Sequence, residues 1–78
     1  RTGAQRLAAY LIRLIDAHGT AGSAELPVSK GTLASRLGMS PETMSRALQT
    51  VAAEGLVVRG HRVFLQDRAR AERFCRHN

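Results

Sequence analysis

Residues 37–48, LGMSPETMSRAL, combine a turn signal with the start of an amphipathic helix. Gly38 favours a turn, Ser40 can cap the following helix by accepting from an N–H of its first turn, and Pro41 fits the first helical position, which needs no amide donor. Apolar residues then recur at the spacing of a face that packs against a core: Met44, Ala47, Leu48 and Val51. The stretch therefore predicts a helix from residue 41 to about residue 54.

The opposite face of this helix is polar. It carries four side chains at positions i, i+3, i+4 and i+7: Glu42, Ser45, Arg46 and Gln49. At about 100° per residue, position 42 lies about 200° from position 44, so these side chains point away from the core. Arginine reads guanine O6 and N7 in a major groove, and glutamate accepts from cytosine N4. The simpler alternative is a solvated face with a Glu42–Arg46 ion pair worth a few tenths of a kcal/mol.

The residues before this stretch predict a helix and a short strand. Residues 4–18 carry leucines and isoleucines at helical spacing, which predicts a first amphipathic helix that Gly19 ends as a glycine cap. Residues 20–24 are small and polar, which predicts a loop. Residues 25–28, ELPV, predict only a short strand, because Pro27 cannot donate to a central β-ladder.

A second, shorter helix is predicted over residues 30–37, with Ser29 as its N-cap. Its core-facing residues are Leu33, Ala34 and Leu37. Residues 38–40 form a three-residue turn to the helix that begins at Pro41, and Gly55 ends that helix. The chain thus predicts two successive helices joined by a tight turn that contains glycine.

After residue 55 the hydrophobic period becomes that of a strand. Residues 56–58 and 63–65 predict a hairpin, with Gly60 at the first central position of a type II′ turn. Asp67 is the expected N-cap of a last helix, residues 68–76, which docks Ala71 and Phe74. Helix, strand, helix, turn, helix, hairpin, helix is the layout of a winged helix-turn-helix. The predicted fold is mainly α with a small antiparallel sheet, and residues 1–78 are expected to form a single domain.

Charge restricts the partners of this chain. Its 78 residues contain 12 lysines and arginines, eleven of them arginine, against 6 acidic residues, a formal net charge of +6. Such an excess favours a polyanion, either nucleic acid or an anionic membrane surface, although a basic surface can also serve solubility alone. No run of about 18 apolar residues occurs, so no membrane span is expected. Double-stranded DNA is the partner that agrees with both the charge and the polar helix face.

Cysteine and histidine usage restricts the class further. Cys75 is the only cysteine, which excludes an internal disulfide and fits a cytoplasmic protein. His18, His61 and His77 lack metal-ligand spacing, so neither a zinc site nor any cofactor is expected in this domain. The first residue is Arg1 rather than methionine, and we expect the chain to be part of a longer protein.

Phosphate contacts are expected from helix N-termini and from the basic hairpin, because such groups position a protein on the DNA backbone without reading its sequence. The candidates are Ser29, Lys30, Ser40, Thr43, Arg59, His61 and Arg62. An alternative role is open for several of them. Ser29 and Ser40 can act as helix caps alone, and Thr43 can be merely exposed.

The sequence resembles the DNA-binding domain of the cyclic-AMP receptor protein and fumarate–nitrate reductase regulator family of bacterial transcription factors. The resemblance runs from Gln5-Arg6-Leu7-Ala8 through residues 26–48, LPVSKGTLASRLGMSPETMSRAL, to residues 55–65, GLVVRGHRVFL. Glu42-x-x-Ser45-Arg46 is similar to the E-x-x-S-R recognition signature of the fumarate–nitrate branch; the cyclic-AMP branch more often has glycine where Ser45 stands. The resemblance implies that Glu42 and Arg46 contact bases of a TTGA-like half-site, with Ser45 near a thymine.

Two departures from the family limit what the resemblance implies. Pro41 stands where the cyclic-AMP receptor protein has a basic residue, so that contact is not carried over. The sensor domain and long dimerisation helix of the family are not within these residues, so no effector is assigned. For a longer protein the expected partners are DNA, a second copy of the chain and, as a further candidate, RNA polymerase. The isolated domain is expected to be monomeric.

Two other interpretations are a winged-helix protein-interaction module and another family of winged-helix regulators. An interaction surface needs exposed aromatic or aliphatic anchors, and the outward face of residues 41–54 has none. An enzyme is not expected, because the chain has no Gly-rich phosphate loop, no nucleophile with a matching base and no usefully spaced pair of carboxylates. The arginines of residues 68–76 could border DNA, contact another domain or solvate a short helix, and the last is favoured.

Overall fold

The computed structural model describes residues 2–76. The elements follow one another as α1 (Gly3–His18), β1 (Ser23–Glu25), α2 (Lys30–Arg36), α3 (Pro41–Ala53), β2 (Leu56–Arg59), β3 (Arg62–Leu65) and α4 (Arg68–Arg76). This order confirms the predicted winged helix-turn-helix, with four helices and a small antiparallel sheet. None of the helices described within this range is long and apolar enough to cross a membrane.

Helix α1 forms the centre of the core, with α3 and α4 packed against it. Its buried face includes Leu7 and Leu11, both fully inaccessible to solvent. Burying a leucine stabilises a fold by about 1.5–3 kcal/mol, so this face accounts for a large part of the stability. The other fully buried large side chains come from every layer of the domain: Leu33, Val51, Leu56 and Val63. One core therefore joins α1, both helices of the motif and the hairpin.

The N-terminus of α1 is more ordered by hydrogen bonds than the sequence suggested. Thr2 and Gln5 form a capping box, in which each side chain accepts from the other residue's backbone N–H. The Gln5 side chain is also buried, and its amide nitrogen donates to the carbonyl oxygen of Phe74 at 3.0 Å. This bond joins the first turn of α1 to the last turn of α4.

The sheet has the strand order β1-β3-β2, and both strand pairs are antiparallel. The prediction placed the first strand at residues 25–28, and these bounds were wrong: the strand lies at Ser23–Glu25, so it begins inside the predicted loop and shares only Glu25 with the predicted strand. A tight turn at Ala21 and Gly22 brings Thr20 against Ser23 and starts the strand early. The Leu26 N–H then donates to His61 O at 2.6 Å, and the chain leaves the sheet before Pro27.

Gly19 ends α1 as predicted, but for a different reason. Its backbone is extended, with φ −82° and ψ 164°, and so it does not adopt the left-handed conformation of a glycine cap. A Cβ at this position would lie 2.6 Å from both Ile15 O and Ser23 O. Glycine is required here by space, because two backbone segments approach it closely.

The predicted caps of the remaining helices are confirmed. Ser29 and Ser40 each accept from the backbone N–H three residues ahead, and Asp67 Oδ1 accepts from Arg70 N at 3.1 Å. Helix α2 ends at Arg36, one residue before the predicted end, and Leu37 is its C-cap. Helix α3 ends at Ala53, with Glu54 as its C-cap.

The hairpin and α4 also agree with their predictions. Among residues of the β2–β3 turn only Gly60 has a positive φ, 58°, which is the type II′ pattern and not type I′. Ala71 is buried and Phe74 is half-buried against the core. Cys75 is buried as well, so the thiol is packed and not exposed.

Candidate nucleic-acid interface

The outward face of α3 is the proposed base-reading surface, and the structure exposes all four of its side chains: Glu42, Ser45, Arg46 and Gln49. Behind them, Met44, Ala47 and Val51 are buried, whereas Leu48 is only half-buried. The helix is thus fixed to α1 and β2 by one face and presents an acid, a hydroxyl, a guanidinium and an amide on the other.

The Glu42–Arg46 ion pair expected for a solvated face is not formed. Within residues 2–76 the ion pairs are Asp16–Arg68, Arg68–Glu72 and Glu54–Arg70, and none of them involves α2, the outward face of α3 or the hairpin. No ion pair therefore has to be broken before Glu42 or Arg46 can contact a base edge.

The two helices of the motif start with the same hydrogen-bond pattern. Ser29 Oγ accepts from Thr32 N at 3.1 Å and donates to Thr32 Oγ1 at 3.0 Å. Ser40 makes the equivalent bonds with Thr43, at 3.2 Å and 3.0 Å. Both serine hydroxyls are consequently engaged within their own helices, and their cap role is confirmed. Thr43 is half-buried, and its Oγ1 accepts from Ser40, so its own O–H can still donate to a phosphate.

The N-termini of α2 and α3 differ in the donors that they leave for an anion. In α2 the N–H groups of Lys30 and Gly31 have no acceptor within residues 2–76, because the Ser29 cap takes only the next amide. In α3 the first residue is Pro41, which has no N–H, so only the amide of Glu42 remains, beside its own carboxylate. The first turn of α2, with the Lys30 ammonium, is therefore the better candidate for a phosphate contact.

A shallow cleft of about 320 Å³ lies between these two helices. Lys30 and Gly31 line one side of it, and Pro41, Ser45 and Leu48 line the other. The structure thus brings a predicted phosphate contact on α2 next to a predicted base contact on α3. A backbone phosphate and a neighbouring base edge are the groups that such an arrangement can bind together.

The hairpin carries its charge in one row across the sheet. Glu25 is the register partner of Arg62, and Arg62 is the register partner of Arg59. Two like charges directly opposite each other on neighbouring strands are unfavourable, so an anion near Arg59 and Arg62 would relieve their repulsion. All three side chains are exposed, as is His61 in the turn.

Arg62 is not fully extended toward solvent. Its Nη1 donates to Ser23 Oγ at 3.0 Å, so its side chain lies over β1. The hairpin turn is also fixed to β1 by the bond from Leu26 N to His61 O. The sequence did not predict either contact, because the position of β1 was wrong. The role of Arg62 toward a phosphate stays a prediction, and it requires this hydrogen bond to be exchanged or shared.

The arginines of α4 have partners that the sequence did not indicate. Arg68 Nη2 lies 2.6 Å from Asp16 Oδ1 and Arg68 Nη1 lies 3.0 Å from Glu72 Oε2. Arg70 Nε lies 3.1 Å from Glu54 Oε1. The expectation that these arginines only solvate a helix was therefore wrong for Arg68 and Arg70. They connect α4 to α1 and to the end of α3.

The Asp16–Arg68 contact perturbs both partners. The hydrogen bond from Arg68 lowers the pKa of Asp16; desolvation opposes this, and the charge of Arg68 adds a smaller lowering. The bonds to Asp16 and Glu72 raise the pKa of Arg68. Both groups are exposed, so the pair is screened by solvent and its main role is to orient α4.

The family is decided by a sequence match that covers nearly the whole chain. The sequence profile of the Crp-like helix-turn-helix domain matches residues 5–74. The chain belongs to the Crp-like helix-turn-helix family. No curated protein sequence matches the chain significantly.

Solved structures agree with this assignment. The Crp-like domain is 36% identical to a protein of Silicibacter pomeroyi DSS-3 described as a cAMP-binding regulatory protein, with a TM-score of 0.81 over 97% of this chain and 33% of that one. It is 36% identical to a protein of Ruegeria pomeroyi DSS-3 described as cyclic nucleotide binding, with a TM-score of 0.82 over 100% of this chain and 34% of that one. It is 31% identical to FixK2 from Bradyrhizobium japonicum, with a TM-score of 0.78 over 94% of this chain and 38% of that one.

These matches establish a DNA-binding output domain of a transcription regulator, as the resemblance implied. The chain spans only about a third of the length of the solved structures that it matches. In the described part of the chain no group of three histidine, cysteine, aspartate or glutamate residues is placed to hold a metal ion.

Proposed function

We propose that this Crp-like domain binds double-stranded DNA sequence-specifically, with α3 in the major groove and the β2–β3 hairpin as a wing on the adjacent backbone. The observation that carries the proposal is the polar face of α3, which is exposed, without an internal ion pair, and backed by a buried apolar face. In this proposal Arg46 donates to a guanine and Glu42 accepts from a cytosine, each within a TTGA-like half-site. Ser45 and Gln49 contact neighbouring base edges.

The backbone contacts have a separate role. The first turn of α2 and the residues Arg59, His61 and Arg62 of the wing bind phosphates, and so fix the register of α3 without reading bases. Ser29 and Ser40 support the helix starts and lie at the same edge, where the Thr43 O–H adds a donor. The role of the domain is binding and not catalysis, and we place it in the cytoplasm, where bacterial DNA is.

We further propose that the longer protein is a homodimer, with RNA polymerase as a candidate partner. We also propose that no cofactor binds to this domain. The domain measures 30 × 28 × 18 Å between its Cα extremes. Half-sites of dimeric helix-turn-helix proteins lie about 34–36 Å apart, so two copies fit side by side without overlapping. The cyclic nucleotides in the names of two relatives belong to those proteins, and the signal sensed by this one is open.

The test is a pair of arginine variants measured against a panel of duplexes, each changed at one base pair of a TTGA half-site. Arg46→Ala should cost about 1–3 kcal/mol on the preferred site and much less on the duplex changed at the base pair that Arg46 reads. Arg62→Ala should weaken binding to all duplexes about equally and reduce the slope of log affinity against log salt by about 0.9.

Arg13→Ala is the matched control, since Arg13 is exposed on α1 and belongs to no ion pair among the described residues. It removes the same charge from a surface that the proposal leaves off the DNA. Equal, sequence-blind losses for Arg46→Ala and Arg62→Ala would show that the α3 face contributes charge and no base reading, and the proposal would then be wrong.

A further inference from the structure

Arg6, in the first turns of α1, contacts the turn between the two helices of the motif. Its Nη2 donates to the carbonyl oxygen of Leu37 at 2.8 Å. Gly3 lies against the same turn, since a Cβ on Gly3 would be 3.0 Å from the terminal methyl carbon of Met39. Met39 is buried against this end of α1. The start of α1 therefore holds the turn both by a charged hydrogen bond and by packing.

The Leu37 carbonyl is the one in this turn that depends on α1. Three carbonyls before it are bonded within the motif: Leu33 O accepts from Leu37 N, Ala34 O from Met39 N and Ser35 O from Gly38 N. Leu37 is the C-cap of α2, where the negative end of the helix dipole favours a cation. Arg6 supplies that cation from a different helix, 31 positions away in the chain.

We propose that Arg6 is a positioning residue for DNA reading. By holding Leu37 O against α1, it fixes where α2 ends and α3 begins, and hence the placement of the α2 phosphate site relative to the base-reading face of α3. Those two groups share the cleft between Lys30 and Ser45, and a small rotation of α2 would separate them. The inference rests on the proposed function, because it assigns a geometric role within the same interface.

Two simpler roles for Arg6 predict different behaviour. If Arg6 contacts a phosphate directly, removing it takes one counterion-releasing contact away and lowers the salt slope by about 0.9. If it only stabilises the fold, removing it lowers the melting temperature and leaves the affinity of the folded protein unchanged. A positioning residue changes the affinity for the preferred site with the salt slope unchanged.

The experiment compares Arg6→Ala and Arg6→Lys with Arg13→Ala, which removes the same charge two turns further along α1. Binding to a TTGA duplex and to its scrambled version is measured across salt, at a temperature where circular dichroism shows each variant folded. Amide chemical shifts of residues 37–45 are recorded without DNA. We expect Arg6→Ala to weaken binding to the TTGA duplex about tenfold or more, and binding to the scrambled duplex no more than Arg13→Ala does. Arg6→Lys, which keeps a cationic donor, should recover part of the loss.

The amide shifts separate this inference from the proposed function. Changes confined to residues 37–45 in Arg6→Ala, and not seen in Arg13→Ala, support the positioning role. If the wild type does not discriminate between the duplexes, base reading is wrong, but this result for Arg6 still stands. Unchanged shifts, a salt slope that falls by about 0.9 beyond the control, or equal effects of Arg6→Ala and Arg13→Ala would each overturn the inference.

Discussion

Two glycines bracket α3, and the structure predicts very different costs for replacing each of them with alanine. Gly38, just before the helix, has φ +70°, and Gly55, just after it, has φ +98°. Both backbones lie in the left-handed region, which costs an L-residue roughly 1–2 kcal/mol. The space around them differs. A Cβ on Gly38 meets nothing within 4 Å, whereas a Cβ on Gly55 would lie 2.8 Å from Asp67 O and 2.9 Å from Asp67 Cβ.

The magnitudes follow from these surroundings. Gly38→Ala carries the conformational cost alone and should destabilise by about 1 kcal/mol, after the reduced entropy of the unfolded chain is subtracted. Gly55→Ala adds overpacking of about 1–3 kcal/mol, for a total of about 2–4 kcal/mol. Asp67 cannot easily move away, because it caps α4, and the neighbouring Gln66 N donates to Gly55 O at 2.7 Å. A domain of 78 residues has a free energy of unfolding of roughly 4–12 kcal/mol, so Gly55→Ala removes much of this stability.

Thermal denaturation followed by circular dichroism measures both variants. At about 4–8 °C per kcal/mol, the melting temperature should fall by about 4–8 °C for Gly38→Ala and by at least about twice that for Gly55→Ala. Gly38→Asn should be milder than Gly38→Ala, since asparagine tolerates the left-handed region, but Gly55→Asn should gain nothing from this because its Cβ meets the same atoms. Equal losses at the two positions would refute the steric reasoning about Asp67.

Two further predictions concern charge and assembly. Because the Arg68 hydrogen bond lowers the pKa of Asp16 below its usual value of 3.8, the pair stabilises the fold above that pH and the contribution is lost as the pH falls through the folded-state value. Asp16→Asn should therefore be less stable than wild type in urea denaturation near neutrality and equal to it in stronger acid; a difference that grows toward acid would contradict this. The isolated domain should sediment as a monomer without DNA, and a tight dimer at micromolar concentration would show that a dimer interface lies within these residues.

Much of the fold was predictable because the ends of its elements carry local signals. Ser29, Ser40 and Asp67 cap helices through bonds to amides three residues ahead, and such bonds depend only on the nearby sequence. The first strand was misplaced because its bounds depend on distant partners. Gly22 O accepts from Leu65 N, and the bond from Leu26 N to His61 O ends the ladder. A three-residue strand has too short an alternation to reveal such pairing in the sequence.

The candidate interface was likewise predictable from the sequence only in part. The exposure of Glu42 and Arg46 follows from helical periodicity, so the sequence predicted it and the structure confirmed it. The availability of backbone donors at α2 depended on cap geometry and on the proline that starts α3, and it could be judged only after both helix starts were known. Some contacts join distant positions, such as Arg6 with Leu37 or Arg68 with Asp16, 52 positions apart. These contacts left no signal in the sequence.

These contacts separate arginines that composition alone cannot distinguish. Arg68 and Arg70 engage Asp16, Glu54 and Glu72, three of the six acidic residues of the chain, on the side where α4 packs. These ion pairs therefore neutralise part of the positive charge on that side. The basic groups of the α2 start, α3 and the wing form no ion pair within residues 2–76, so their charge stays available to an anionic partner. A field of one sign on one face orients the domain during its approach to DNA. The ion pairs of α4 thus support binding indirectly, because they neutralise part of the positive charge on a face that the proposal leaves off the DNA.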